Sequence, residues 1–140
     1  MVVRPPTLLL VALLALGPAV VAAQTDADVK EAGGVIMQQL DAFRRDDFDA
    51  AFGFASSEIH QLFDRARFEQ MVRDGYPEIA RSASAVIDGG ERADAGRLYL
   101  FVRVRGANGR VVEAVYEMVR EGGGWRINGV VTRPDSSEKA

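Results

Sequence analysis

The chain has 140 residues, with 17 lysines plus arginines against 20 acidic residues, one histidine and no cysteine, for a formal net charge of −3. That balance, with no basic run, argues against a nucleic-acid partner, because phosphate binding needs a positive patch. The missing cysteines exclude disulfides, and one histidine cannot fill a zinc site without several carboxylates. Lys30 and Lys139 are the only lysines, a poor stock for Schiff-base chemistry.

Arg4 precedes an unbroken apolar run from Leu8 to Leu16, followed by Gly17-Pro18 and then Val21-Ala22-Ala23. A charged start, a short apolar stretch and small residues at a cut site are the three parts of a secretory signal peptide, so residues 1–23 are read as a leader cut before Gln24. The competing reading is an uncleaved anchor, but Gly17-Pro18 interrupts the segment and a span needs roughly 20 apolar residues. The expected organisation is a leader over 1–23, one domain over 24–134 and a frayed polar tail over 135–140, in a protein that is periplasmic or secreted. With the leader removed, no membrane partner is expected.

From Asp26 to Arg45, Val29, Ala32, Ile36, Leu40 and Phe43 recur at spacings of three and four, which predicts a helix with one buried face. Gly33-Gly34 inside it implies a bend or a close helix contact. Asp46-Asp47 after Arg44-Arg45 places base at one helix end and acid at the next start, as the macrodipole prefers. A second helix carries Phe48, Ala51, Phe52 and Ala55. Ser56-Ser57 can cap a third short turn with Ile59, Leu62 and Phe63, and Asp64 a fourth helix with Phe68, Met71 and Val72. Gly75 and Pro77 mark its end.

Beyond residue 83 the period changes to two: strands are expected over 98–105, 111–120 and 125–133, with a weaker one over 84–88. The turn at 106–110 fixes the faces. A two-residue Asn-Gly turn would set Leu100 opposite Glu117, mixing charge into both faces. One more residue, with Gly109 as a left-handed bulge, sets Val104 against Val112, Val102 against Ala114, Leu100 against Tyr116 and Leu98 against Met118, leaving Arg103 facing Glu113 on the other side. The same parity carried through the Gly122-Gly123-Gly124 turn aims Trp125, Ile127 and Val131 at the inner face. Helices followed by an antiparallel sheet with one apolar face make an α+β domain.

The stretches VIMQQLDAFRRDDFDAAFGFASSEIHQLF, RFEQMVRDGYP and WRINGV resemble a small exported bacterial family, domain-of-unknown-function family 4864, over about residues 35–131. The run from Gln39 to Ala55 is the most specific part. The resemblance implies an α+β, NTF2-like (cystatin-like, SnoaL-like) cone, with helices packed on a curved sheet around an internal pocket. It also implies dimerisation through the exposed sheet face, where Tyr99 and Phe101 sit. It transfers no catalytic residue. The chain departs from the family pattern with Ser57 in place of the usual proline, Asn128 in place of a frequent aspartate and Val130 in place of a common cysteine. Asparagine cannot take the proton that a pocket carboxylate takes in related cone-shaped enzymes.

His60, near Glu58 and Asp64, is one candidate base and Asp88 another, but His60 is offset from the Ile59-Leu62-Phe63 stripe and reads more readily as a surface residue. Asp46, Asp47 and Asp49 lack the spacing and the glycine of a calcium loop, which leaves them as caps and ion-pair partners. Tyr116, Trp125, Leu100 and Tyr76 are the expected ligand-facing residues, the phenols and the indole being buried polar groups that seek a partner. Three functions fit: a noncatalytic module binding a small apolar ligand or a partner protein; a SnoaL-like isomerase, hydratase or hydrolase acting on a small apolar substrate; and a structural domain whose core is filled. No metal or cofactor is expected.

Overall fold

The computed structural model describes residues 17–135; the apolar run of the expected leader and the tail beyond Asp135 lie outside them. The elements run α1 (Pro18–Arg44), α2 (Phe48–Gly53), α3 (Ser57–Leu62), α4 (Arg65–Gly75), α5 (Pro77–Ala80), then β1 (Ser82–Asp94), β2 (Arg97–Gly106), β3 (Val111–Glu121) and β4 (Gly124–Pro134). The strands form one antiparallel, curved sheet in the order β1-β2-β3-β4, and α1 lies across it in contact with β1, β2 and β4. The class is α+β, as the change of period from 3.6 to 2 predicts. No helix of the described residues is long and apolar enough to cross a membrane.

The helix starts are set by short polar side chains. Asp47 accepts from the Ala50 amide at 3.1 Å, Ser56 from Ile59 at 3.3 Å and Asp64 from Arg67 at 2.8 Å, each satisfying a donor that the first turn leaves unpaired. Between α1 and α2 the backbone turns through Asp46 in the left-handed region, φ 56°. Gly75 and Pro77 end α4 as expected, but proline also starts a helix well, and α5 begins at Pro77, an element the sequence reading did not anticipate.

β2 and β3 pair in the register chosen above: Val104 with Val112, Val102 with Ala114, Leu100 with Tyr116, Leu98 with Met118 and Arg103 with Glu113. Gly109 adopts φ 81°, the left-handed bulge that register requires. β1 is far longer than the expected 84–88. Its pairing with β2 skips one residue at each of three places, between Ser82 and Ser84, Ile87 and Gly89, and Arg92 and Asp94, so its alternation is broken in the sequence and its edge bends over the core. Gly90 sits where α1 crosses: a β-carbon there would lie 2.8 Å from Val29 Cγ2 and 2.9 Å from the Tyr99 carbonyl oxygen. Gly33 is likewise a contact point, facing Ile87 and Leu100, and α1 runs through it without a break.

One parity expectation fails. Trp125 and Ile127 are buried, but Val131 is 70% exposed. Ile127 pairs with Met118 and Gly129 with Glu117, leaving Asn128 as a surplus residue with no opposite number. A one-residue surplus inverts every side chain beyond it, so Val130, beside Tyr116, takes the inner position.

Ile36, Leu40 and Phe43 of α1, Phe48 of α2, Phe68 of α4 and the inner-face residues of β2 and β3 form one continuous core. Burial of such side chains contributes about 1.5–3 kcal/mol each, against about 0–1 kcal/mol for an exposed ion pair. The surface chain Asp49–Arg65–Glu69–Arg73–Asp46–Arg81 therefore adjusts stability without setting the fold. Within it, a hydrogen bond from Arg81, joined by one from Arg73, holds the Asp46 carboxyl below its ordinary 3.8. A lowered carboxyl contributes stability that is present above the ordinary value and lost as pH falls through the folded one. Asp46→Asn keeps a residue that tolerates the left-handed turn and removes only the charge. The variant should melt below wild type at neutral pH, and the two melting curves should converge as pH falls below 3.8. Thermal unfolding by circular dichroism across that range checks this; a gap independent of pH would mean that the charge contributes nothing.

Candidate functional site

A cavity of about 260 Å³ opens between the helices and the inner face of the sheet. Its deep wall is Tyr116 of β3 with Gln39 and Phe43 of α1, Val72 of α4 and Ile79 of α5. Its rim is the half-buried set Ile59, Phe63, Met71, Tyr76 and Val130. Gln39 was not foreseen, although its place in the sequence signals it: it is three residues after Ile36 and four before Phe43, a polar side chain on the buried face of α1. Val130 was missed because the surplus at Asn128 is invisible to a strict period of two.

The polar atoms of the lining are few. Gln39 Nε2 donates to the Ala51 carbonyl at 3.1 Å and the Tyr76 hydroxyl to the Val130 carbonyl at 3.1 Å. The Tyr116 hydroxyl is fully buried and has no hydrogen-bond partner among the described residues. Burial pushes its acidity constant well above the ordinary phenol value, so it remains a neutral donor at any physiological pH. No carboxylate, histidine, lysine or arginine is among the residues lining the cavity.

Asn128 organises one wall. Its Oδ1 accepts from the buried Ser56 hydroxyl at 2.6 Å, while the same Ser56 oxygen caps α3. The Ser56 amide donates to the Ile127 carbonyl at 2.8 Å and the Ile127 amide to the Phe54 carbonyl at 3.0 Å, so residues 54–56 pair with the free edge of β4. The Glu121 carboxylate takes both the amide and the hydroxyl of Ser57. Together these contacts set α3 so that Ile59 faces the cavity.

The other expected residues lie elsewhere. Leu100 is fully buried in the core and does not line the cavity. Trp125 is buried too, under the Arg120 guanidinium at 4.6 Å from its ring centre, where Arg120 also donates to Asp28. His60 is exposed: its ring stacks on Phe52 with centres 3.8 Å apart, and its Nε2 lies 2.8 Å from the Phe52 carbonyl oxygen, a partner that accepts only from an N–H. Asp88, a surplus residue of β1, accepts from Arg103 at 2.9 and 3.1 Å on the outer sheet face, opposite the cavity. Neither candidate base reaches the cavity. Asp46, Asp47 and Asp49 serve as ion-pair partners and a cap, and no group of acidic residues or histidines among those described is arranged to hold a metal.

The model of the family "Domain of unknown function (DUF4864)" matches residues 24–140. The chain belongs to the DUF4864 family. No curated protein and no solved structure matches it. The DUF4864 match takes in every residue of the cavity and of the Ser56–Asn128 contact.

A buried hydroxyl without a partner costs about 1–3 kcal/mol. Tyr116→Phe removes that cost with almost no change in shape, so the variant should be more stable than wild type by about 1 kcal/mol, read from urea denaturation with an unchanged slope. A loss of stability of similar size would mean that the hydroxyl is satisfied in the folded protein.

Proposed function

We propose that this DUF4864 chain is an exported, noncatalytic module that takes a small apolar molecule into the cavity of an NTF2-like cone. The observation that carries the reading is a cavity of about 260 Å³ whose lining is apolar apart from Gln39, Tyr76, Tyr116 and exposed backbone. An unfilled apolar cleft of that size, beside a core that packs densely elsewhere, speaks against a filled structural domain. A lining without a carboxylate or histidine speaks against a proton-transferring isomerase or hydrolase. The NTF2-like assignment is supported by the order of elements: helices roof a four-stranded antiparallel sheet curved by bulges.

Export is supported by the composition of residues 1–23. The first turns of α1 add to it, because no residue from Pro18 to Ala27 is buried, and removal of the leader would leave the core contacts intact. The intact mass of the protein recovered from a secreting bacterial host should correspond to a chain beginning at Gln24. Recovery of the full-length chain from the membrane fraction would favour the anchor instead.

The pocket has its own test. α-Methylstyrene, an uncharged hydrocarbon of fitting size, should bind and shift the methyl resonances of Ile59, Ile79 and Ile127. Val130→Trp, which puts a large ring at the rim beside Tyr116, should weaken binding at least about tenfold while leaving the circular dichroism spectrum unchanged, a factor equivalent to about 1.4 kcal/mol. Equal binding by wild type and variant would place the hydrocarbon elsewhere and end this reading.

A further inference from the structure

The cavity's polar atoms narrow what it can hold. Gln39 directs one of its two amide N–H groups and Tyr76 its hydroxyl at backbone carbonyls, while the Tyr116 hydroxyl is a buried donor with nothing to donate to among the described residues. Water is a poor occupant for that position. An ordered buried water wants two to four polar partners, and the cavity lining is apolar apart from Tyr116, Gln39, Tyr76 and backbone, with Gln39 and Tyr76 each already bonded to a carbonyl. A charged occupant is worse: an ion taken out of water needs a counter-charge, and none is among the lining residues.

We infer that the cavity selects an uncharged organic molecule bearing a carbonyl-type acceptor on an apolar body, with the Tyr116 hydroxyl donating to that oxygen. The inference rests on the pocket reading above and adds the chemistry of the ligand to it. Size sets the scale. An apolar cavity of about 150 Å³ holds benzene, so about 260 Å³ holds on the order of ten heavy atoms. Ketones, esters and amides of that size have one strong acceptor at one end, matching one donor in an apolar wall. The Tyr116 phenol stays protonated at physiological pH, so recognition requires no change of ionisation.

Three probes of nearly the same shape separate the possibilities: acetophenone with a carbonyl, α-methylstyrene with a methylene in its place, and benzoate with a charge. Affinities are read by titration calorimetry on wild type and Tyr116→Phe. The ratio of acetophenone to α-methylstyrene affinity should fall about fivefold or more on substitution, with α-methylstyrene binding retained, and benzoate should not bind. Comparing ratios cancels the different hydration of the two neutral probes.

A second measurement needs no variant: the carbonyl stretch of bound acetophenone should lie below its value in hexane, as a hydrogen-bonded carbonyl requires. An unchanged ratio with a hexane-like stretch overturns the donor assignment while leaving the pocket reading intact. Benzoate binding as tightly as acetophenone overturns the requirement for an uncharged ligand. Failure of wild type to bind α-methylstyrene or acetophenone overturns the pocket reading, and this inference falls with it.

Discussion

The surplus residue at Asn128 is the constraint from which the cavity follows. A regular β4 would keep Val131 on the inner face and Val130 on the outer, and its edge amides would be open. With Asn128 unpaired against β3, the strand beyond it turns over, Val130 comes to lie beside Tyr116, and Gly129 brings backbone rather than a side chain to the lining. The same residue sends its side chain to Ser56, so the irregularity that reverses the strand also fixes the segment that covers its edge. Exposed strand edges are templates for unwanted pairing, and a short bridged segment is one way to close them. One extra residue thus links the parity of the sheet, the start of α3 and the shape of the cavity. In this chain the amide at 128 acts as a hydrogen-bond acceptor within the scaffold.

How the cavity persists is a question of balance. Leu98, Leu100, Val102, Val104 and Met118 on one side, and Ile36, Leu40 and Phe48 on the other, are fully or almost fully buried and close the core tightly around the middle of α1. Filling the remaining space would require α3 and the end of α4 to move inward. Their positions are held by directional contacts with β4 and the end of β3: Ser57 to Glu121, Ser56 to Asn128 and the Tyr76 hydroxyl to the Val130 carbonyl. Hydrogen bonds lose their value over a few tenths of an ångström, whereas apolar contacts tolerate sliding. A wall held by directional bonds therefore resists collapse better than its small buried area would suggest.

The sequence was most legible where a single rule acted alone. Helix starts at Asp47, Ser56 and Asp64 follow from side chains that can cap, and the β2–β3 register follows from the apolar pairing that only a bulge at Gly109 allows. Legibility failed where two rules overlapped. Pro77 is both a stop for α4 and a start for α5. β1 hides behind Asp88-Gly89-Gly90, because three surplus residues erase its alternation and its glycine makes room for Val29 of the helix above. For the site, Tyr116 was readable as an amphipathic side chain on the inner sheet face and Tyr76 as one at a helix end. Trp125 and Leu100 face inward as well, yet an inward position does not distinguish packed core from cavity wall. That distinction depends on where α3 and α4 stop, which is a tertiary distance that periodicity does not carry.

The cavity wall is also the part of the molecule most readily opened. α3 buries none of its residues, and its attachments are polar contacts to Asn128, Glu121 and the Phe52 carbonyl, with Ile59 and Phe63 only half-buried against the core. Regions with few buried apolar contacts open at lower free energy than the elements that carry the core. Since α1, β2 and β3 hold most of the fully buried side chains, a local opening at α3 would disturb the core less than one between α1 and the sheet. The division of labour between an apolar core that sets stability and a hydrogen-bonded wall that holds α3 is what allows one small domain to keep a cavity beside a densely packed interior.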